Sequence, residues 1–234
     1  MNKENKNDKI NKSLFYLLTW FSPSYPIGSY AYSHGLEYAV ESKVIKDLSD
    51  LSYWISDFLC FGSGYNDGIL ISCGYNAVIN NDLNELEKIS QVAKAYKSSK
   101  EIALESNQQG ISFAHAVSSS LSSNKFDGLI KIINKNISFP LVVACAGATC
   151  EISKLDLISA YLHAFVSNII SSALRLMSIG QTESQILLLK FKKEVELLTN
   201  KIILKTMNDL GSSVLIGEWS SANHEKQYSR LFRS

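Results

Sequence analysis

The side chains in this sequence that are best suited to metal or thiol chemistry are scattered along the chain. The four histidines stand at positions 34, 115, 163 and 224, and none pairs with a cysteine or carboxylate at a ligand spacing such as H-E-x-x-H. The four cysteines form no Cys-x-x-Cys pair, and Cys145 and Cys150 are predicted on different sides of one helix. Only His34 lies in a predicted loop, so it is the one histidine worth testing as a ligand. The sequence predicts no metal site.

Carboxylates and glycines also give no recognisable catalytic arrangement. The candidate carboxylates fall at predicted helical positions without a second carboxylate at catalytic spacing, and we interpret them as solvated faces or helix caps: Glu37, Glu101, Glu105 and Asp156. Motifs of the P-loop, GxGxxG and GxSxG types are absent. Arg175 lies on an apolar helix and requires a carboxylate or carbonyl partner. The sequence therefore predicts no catalytic residue and no cofactor.

Composition argues against nucleic acid and membrane as partners. The net charge is +1 and the basic residues form no stripe, which is not the pattern of a nucleic-acid reader. The most apolar run, residues 139–150, is shorter than the ~20 residues that a membrane span needs. The chain begins with charged residues and shows no apolar export segment. We expect a cytoplasmic protein with reduced thiols.

One stretch, residues 22–37, concentrates unusual residues and is called the aromatic loop. Two of the three prolines, Pro23 and Pro26, disfavour helix there, and Gly28 is free to adopt a positive φ. Ser33 is a predicted N-cap for a helix that starts at His34, with Glu37 in its first turn. The aromatic loop is either a functional surface or a structural corner whose tyrosines fill the core. Spacing alone leaves both interpretations open.

The last eleven residues, 224–234, form a second unusual stretch, called the tail. Tyr228, Leu231 and Phe232 recur at helical spacing, with Arg230 between them and Arg233 directly after. Tyrosine, phenylalanine and arginine are common anchors of protein interfaces. The tail either folds back on its own domain or becomes ordered against a partner chain.

Apolar spacing and capping residues predict an all-α protein, a single-domain bundle of about nine or ten helices. No alternating strand pattern and no repeat of 20–50 residues is present. Asp82, Ser153 and the pair Thr182 with Gln185 predict helix starts. The predicted helices cover residues 14–21, 34–42, 48–61, 69–79, 83–96, 100–121, 141–150, 154–177, 186–207 and 209–219. The helix over 154–177 is apolar on nearly all sides, which predicts a buried central helix.

The charge pattern and the absence of a flexible linker predict the domain organisation. Residues 1–12 are almost entirely polar and predict a disordered lead-in. Residues 13–223 are predicted as one all-α domain, and residues 224–234 as a partner-binding tail.

The aromatic loop and the tail together resemble the urease accessory protein UreF family. The loop fits that family's pattern Pro-x-Gly-[Ala/Ser]-[Phe/Tyr]-x-x-Ser-x-Gly-Leu-Glu through Pro26, Gly28, Ser29, Tyr30, Ser33, Gly35, Leu36 and Glu37. The tail is similar to the family's C-terminus, and motifs at 105–110, 139–141, 172–175 and 180–182 fall in the family's order. The resemblance covers residues 14–234. Two departures are His34, where the family often has Gln, and Ser178, where it often has Pro.

The resemblance implies a scaffold rather than an enzyme. Members of the family are all-α, tend to form homodimers and join a UreD-like (also called UreH-like) protein to a nickel-handling, UreG-like GTPase, so that nickel reaches apo-urease. The resemblance therefore implies a nickel-insertion chaperone scaffold without catalysis of its own.

Carried over by position, the resemblance predicts two partner-binding surfaces. One lies on the aromatic loop and comprises Tyr30, Tyr32, Ser33, His34 and Glu37. The other lies on the tail and comprises Tyr228, Arg230, Leu231 and Phe232. A further hypothesis makes Arg230 and Tyr30 neighbours in the assembled complex.

Two rival functions remain at this point. In one, the chain activates the partner GTPase by supplying a tail arginine in trans. In the other, it is an unrelated all-α metal hydrolase, which the scattered histidines argue against.

Overall fold

The computed structural model of this chain describes residues 6–97 and 99–233, with side chains described from residue 12 onward. Within these ranges every regular element is helical, which confirms the all-α prediction. The described α-helices are α1 Lys6–Trp20, α2 Leu36–Glu41, α3 Leu48–Phe61, α4 Ser63–Ile79, α5 Leu83–Ala95, α6 Lys100–Leu121, α7 Asn124–Ile133, α8 Phe139–Thr149, α9 Lys154–Leu176, α10 Gln181–Lys190, α11 Lys192–Ile202 and α12 Leu215–His224. Short 3-10 turns cover Ser29–Ala31, Asn134–Asn136 and Met207–Asp209.

Side-chain caps fix the starts of the helices that the sequence predicted best. The Asp47 carboxylate accepts from the amides of Ser49 and Asp50 at the start of α3. Ser99 caps α6 by accepting from the amide of Ile102, at 3.2 Å. Such caps satisfy backbone donors that have no partner inside the helix. The predicted bounds 48–61 and 100–121 are confirmed.

Helix α8 lies at the centre of the core. Every residue from Phe139 to Ala148 is buried, and Pro140 occupies its first turn. Helix α4 packs closely against it, because Gly74 has no side chain: a Cβ there would lie 2.8 Å from Leu141 Cδ2. Helix α9, which the sequence predicted as the buried central helix, is buried over much of its length, but Asp156 and Arg175 near its ends are exposed.

Among the described helices, α9 is the one long and apolar enough to cross a membrane by length and composition. Its most apolar window is 56% buried inside the protein. Because the helix packs against α3, α4, α10 and α11, its apolar character is accounted for by the core.

The predicted single helix over 186–207 is wrong, because the chain turns at Phe191. Helix α10 starts at Gln181, where the Gly180 amide donates to the Glu183 carboxylate at 2.8 Å. The predicted capping pair Thr182 with Gln185 is therefore replaced by Gly180 with Glu183. The buried residue Phe191 lies at the junction of α10 and α11.

Other boundaries also differ from the sequence-based expectation, and α4 begins at Ser63 instead of residue 69. Helix α1 begins at Lys6, inside the predicted lead-in, whose residues 1–5 lie outside the described part of the chain. Helix α7 was not predicted; Ser123 caps it and it buries Phe126. The short helix expected over 209–219 is α12, Leu215–His224.

Helix α2 begins at Leu36 rather than His34. His34 and Gly35 both have positive φ, 53° and 75°, which a right-handed helix cannot contain. Gly35 also meets α12 so closely that a Cβ would lie 2.8 Å from the Ser221 amide nitrogen. The Ser33 hydroxyl still accepts from the Glu37 amide at 3.4 Å, so it supports the first turn without being the N-cap.

Candidate docking surface

Glu37, in the first turn of α2, holds the backbone of the tail. Its Oε1 accepts from the Leu231 amide at 2.6 Å, and its Oε2 accepts from the Phe232 amide at 2.9 Å. The side chain is buried, where such charge-assisted bonds are strongest. The aromatic loop and the tail, almost two hundred residues apart in sequence, therefore meet at one carboxylate.

His224, the last residue of α12, joins that carboxylate to a second one. Its Nε2 lies 3.0 Å from Glu37 Oε2, and its Nδ1 lies 2.9 Å from Glu101 Oε2. The ring is completely buried. Because each ring nitrogen faces a carboxylate oxygen, a ring that donates from both nitrogens satisfies both partners.

Arg230 completes this group, which we call the clasp: Glu37, Glu101, His224 and Arg230. The Arg230 guanidinium donates to Glu101 Oε1 at 3.1 Å. Burial raises the pKa of the Glu101 carboxyl, while His224 and Arg230 act to lower it. The clasp thus ties α2, α6, α12 and the tail together through charged and hydrogen-bonding side chains.

Phe232 and Arg233 attach the end of the tail beside the clasp. The Phe232 ring is buried, and the Arg175 guanidinium lies 4.1 Å from its centroid. The Arg233 amide donates to the Ala31 carbonyl at 2.7 Å. Arg175 also donates to the Ser171 carbonyl at 3.4 Å, so it has the carbonyl partner that the sequence required. In this chain the tail folds back on its own domain.

The predicted partner-binding residues divide into an exposed group and a buried group. The exposed side chains are Tyr30 (66%), Tyr228 (107%), Leu231 (62%) and Arg230 (40%). The buried ones are Tyr32, Ser33, His34, Glu37 and Phe232. The buried group holds the backbone in place, so the structural-corner interpretation of the loop applies to Tyr32. The exposed group is carried by the loop and the tail, which meet where the Arg233 amide bonds to the Ala31 carbonyl.

Comparison with known proteins identifies the family. The family model for UreF matches residues 45–192. The chain is 37% identical to the urease accessory protein UreF of Rhodopseudomonas palustris strain BisA53, over 95% of this chain and 93% of the relative. It is 36% identical to the urease accessory protein UreF of Methylorubrum populi, over 93% of this chain and 97% of the relative.

The chain belongs to the UreF family. The Rhodopseudomonas match spans 222 of the 234 residues, so it includes the whole aromatic loop, which lies outside the residues matched by the family model. The resemblance drawn from the loop and tail motifs is therefore confirmed.

Sequence reasoning missed two members of the clasp in this UreF-family chain, Glu101 and His224. Glu37, Glu101 and Glu105 were interpreted as solvated faces or helix caps, and a solvated position is wrong for all three, because they are 8%, 6% and 4% exposed. His224 was treated as isolated, although α12 carries it between two carboxylates. The available signal was spacing, because Glu101, Glu105 and Gln109 recur every four residues and fall on one face of α6 with the apolar Ile102.

His34 does not join a metal cluster. Its Nε2 lies 3.4 Å from Glu105 Oε1, and its ring packs 5.1 Å from that of Phe165. Across the described residues, no group of three His, Cys, Asp or Glu side chains is arranged to hold a metal ion.

Proposed function

We propose that this UreF-family chain is a maturation scaffold for urease. In this role it joins a UreD/UreH-like accessory protein to a UreG-like GTPase and so assists delivery of nickel to apo-urease. The supporting observation is the clasp, which bonds together the two segments that carry the family motifs. The family's curated relatives are named as urease accessory proteins, which agrees with a role without catalysis.

Within this proposal, the exposed and buried residues have different tasks. Tyr30, Tyr228 and Leu231 offer large, exposed apolar or aromatic side chains, the kind that anchor interfaces. Glu37 and His224 are positioning residues, because they are buried and act by fixing the backbone that carries the exposed ones. We propose that the same scaffold works as a cytoplasmic homodimer.

The test is urease maturation in a host that produces urease. Deletion of the gene is expected to leave urease without nickel and inactive. Complementation with a Tyr30→Ala, Leu231→Ala double variant is expected to restore little activity and to lose co-purification of the UreD-like and UreG-like partners. Leu197→Ala, which changes an equally exposed leucine outside the loop and tail (61% against 62% for Leu231), serves as the matched control. Full urease activity in the deletion strain would contradict the maturation role.

The alternative function, activation of the partner GTPase by an arginine in trans, receives less support. The guanidinium of Arg230 is already bonded to Glu101, and an arginine finger would have to leave that contact. Addition of purified chain to the UreG-like GTPase separates the two functions. A rise in GTP turnover of a hundredfold or more that disappears in Arg230→Ala would favour the activator.

A further inference from the structure

The contacts of the His224 ring require one proton more than a neutral imidazole carries. Its Nε2 lies 3.0 Å from Glu37 Oε2, and its Nδ1 lies 2.9 Å from Glu101 Oε2. A proton must lie between each nitrogen and its oxygen, because two lone pairs at these distances would repel each other. A neutral imidazole supplies one of the two protons. The three side chains therefore hold one further proton in common, which we call the shared proton.

The need for the shared proton does not depend on which side chain carries it. An imidazolium between two carboxylates contains the same number of protons as a neutral imidazole between one carboxylate and one carboxylic acid. Burial raises the pKa of the Glu101 carboxyl, and Glu225 acts in the same direction, while His224 and Arg230 act to lower it. Both arrangements keep a proton in each of the two contacts of the ring.

The charged groups around the ring come from α2, α6 and the tail. Helix α2 contributes Glu37, α6 contributes Glu101, and the tail contributes Arg230, whose guanidinium donates to Glu101 Oε1 at 3.1 Å. Arg230 and the shared proton together balance the two carboxylates. The ring is completely buried, so loss of the proton would place a nitrogen lone pair against a carboxylate oxygen without water to separate them.

The tail is the element around the ring that apolar packing holds least. Among residues 225–233, Phe232 alone has a buried side chain. The other strong attachments are the bonds of the Leu231 and Phe232 amides to Glu37, at 2.6 Å and 2.9 Å. Helix α12, by contrast, packs so closely on α3 that a Cβ at Gly217 would lie 2.5 Å from the Phe58 ring. Loss of the shared proton should therefore detach the tail and leave α12 in place.

We propose that the clasp is a pH-sensitive latch: it keeps the tail docked while the shared proton is present and releases the tail when a rise in pH removes that proton. The docked tail carries Arg230 and Leu231, so its release changes the surface that the chain offers to any partner. The latch is a property of this chain by itself and goes beyond the proposed scaffold role.

The test follows the docked fraction of the tail against pH in the full chain. The ten phenylalanines are labelled with fluorine, and the ¹⁹F resonance of Phe232 is identified by its loss in Phe232→Leu. A ring buried beneath the Arg175 guanidinium and a ring in solvent should give different resonances. Loss of one proton predicts that the ratio of docked to detached tail falls about tenfold for each pH unit above the midpoint. A ratio that stays constant or rises with pH overturns the proposal.

Glu101→Gln distinguishes a latch from a contact that is merely weak. The new amide can donate to His224 Nδ1, so the ring contacts no longer need the shared proton. The tail should therefore stay docked at pH values that release it in the wild type. If Glu101→Gln released the tail at a lower pH than the wild type does, the contact would be merely structural and the proposal would be wrong. Glu87→Gln, at an exposed position of α5, should reproduce the wild-type curve.

His224→Gln gives a second variant that leaves position 101 unchanged. Its side chain does not titrate, so the docking that remains should lack the tenfold dependence on pH. A dependence as steep as that of the wild type would overturn the proposal. The ¹⁹F resonance of Phe126, a fully buried ring of α7, reports on the fold and should stay in place throughout. Movement of Phe126 in step with Phe232 would show that the whole fold titrates and would overturn the latch.

Discussion

The α4–α8 core and the clasp hold distant parts of this chain together by opposite means. Helix α8 is buried along Phe139–Ala148 and packs against α4, where Gly74 lies close to the apolar side chains of Leu141 and Ala144. The clasp joins α2, α6, α12 and the tail through two carboxylates, an imidazole and a guanidinium. Apolar packing has no titratable group and therefore no pH dependence of its own, whereas the clasp depends on charge. From this difference we expect that the tail can detach while the rest of the fold persists.

The largest expected effect is a cavity in the core. Leu141→Ala removes a fully buried side chain from α8, and the lost contacts should cost about 3 kcal/mol of unfolding free energy. Urea denaturation followed by circular dichroism measures this loss. Leu204→Ala, at an 81% exposed position, should change the free energy by less than about 0.5 kcal/mol. Similar losses for both variants would mean that α8 is not the centre of stability.

A change at the clasp should release the tail and leave the core intact. Glu37→Gln replaces one acceptor oxygen with an amide donor, which then faces the Leu231 or Phe232 N–H. The variant should lose about 2 kcal/mol of the free energy that docks the tail. Hydrogen exchange of those two amides should therefore be roughly thirtyfold faster. Amides of α8 should exchange at the wild-type rate. Acceleration in α8 of the same size would show that clasp and core are one cooperative unit.

The charge dependence of the clasp should appear as a pH dependence of stability. Because the pKa of Glu101 is raised by burial, the folded chain binds a proton there more readily than the unfolded chain. The stability that this carboxyl contributes is present below its unfolded pKa and is lost as the pH rises through its folded pKa. The unfolding free energy of the wild type relative to Glu101→Gln should therefore fall with rising pH across the acidic range. For Glu87→Gln, the difference in unfolding free energy from the wild type should not change with pH.

If the unfolding free energy of the wild type relative to Glu101→Gln rose with pH, the sign would be opposite to the expected one. It would show that His224 and Arg230 outweigh burial and lower the pKa of Glu101. The attraction of the Glu101 carboxylate to these two side chains would then exceed the free-energy cost of burying it.

The smallest effect is expected at Arg230. Its side chain is 40% exposed, and ion pairs of this kind contribute about 0.5 kcal/mol. Arg230→Ala should hardly move the midpoint of thermal unfolding, and Arg230→Lys should move it less still. Pull-down of the UreD-like and UreG-like partners should nevertheless weaken in Arg230→Ala, as expected for a contact residue. A large loss of stability would make Arg230 a structural residue instead.

The helices that the sequence predicted correctly are those whose bounds depend on local features, namely apolar spacing and a capping residue. Helices α3 and α6 have regular apolar spacing behind a capping residue, and both were placed correctly. The turn at Phe191 was missed because residues 181–207 contain no glycine or proline that would mark it. Helix α7 was missed because the serines before it suggested a loop, although Ser123 is its cap.

The candidate site was predicted as two segments and not as one. Sequence motifs selected the aromatic loop and the tail, but nothing in either segment indicates that Glu37 bonds to the Leu231 and Phe232 amides. Glu101 could have been flagged by its four-residue repeat with Glu105 and Gln109. Its pairing with both His224 and Arg230 requires the packing of α12 against α6, which no local pattern encodes.

The way in which Glu37 holds the tail has a consequence for how this surface evolves. The carboxylate bonds to main-chain amides, which every residue type except proline provides. The side chain at position 231 is therefore free to vary with the surface of its partner while the anchoring is conserved. Relatives with divergent partners should differ at position 231, exclude proline at positions 231 and 232, and retain the acidic residue at position 37.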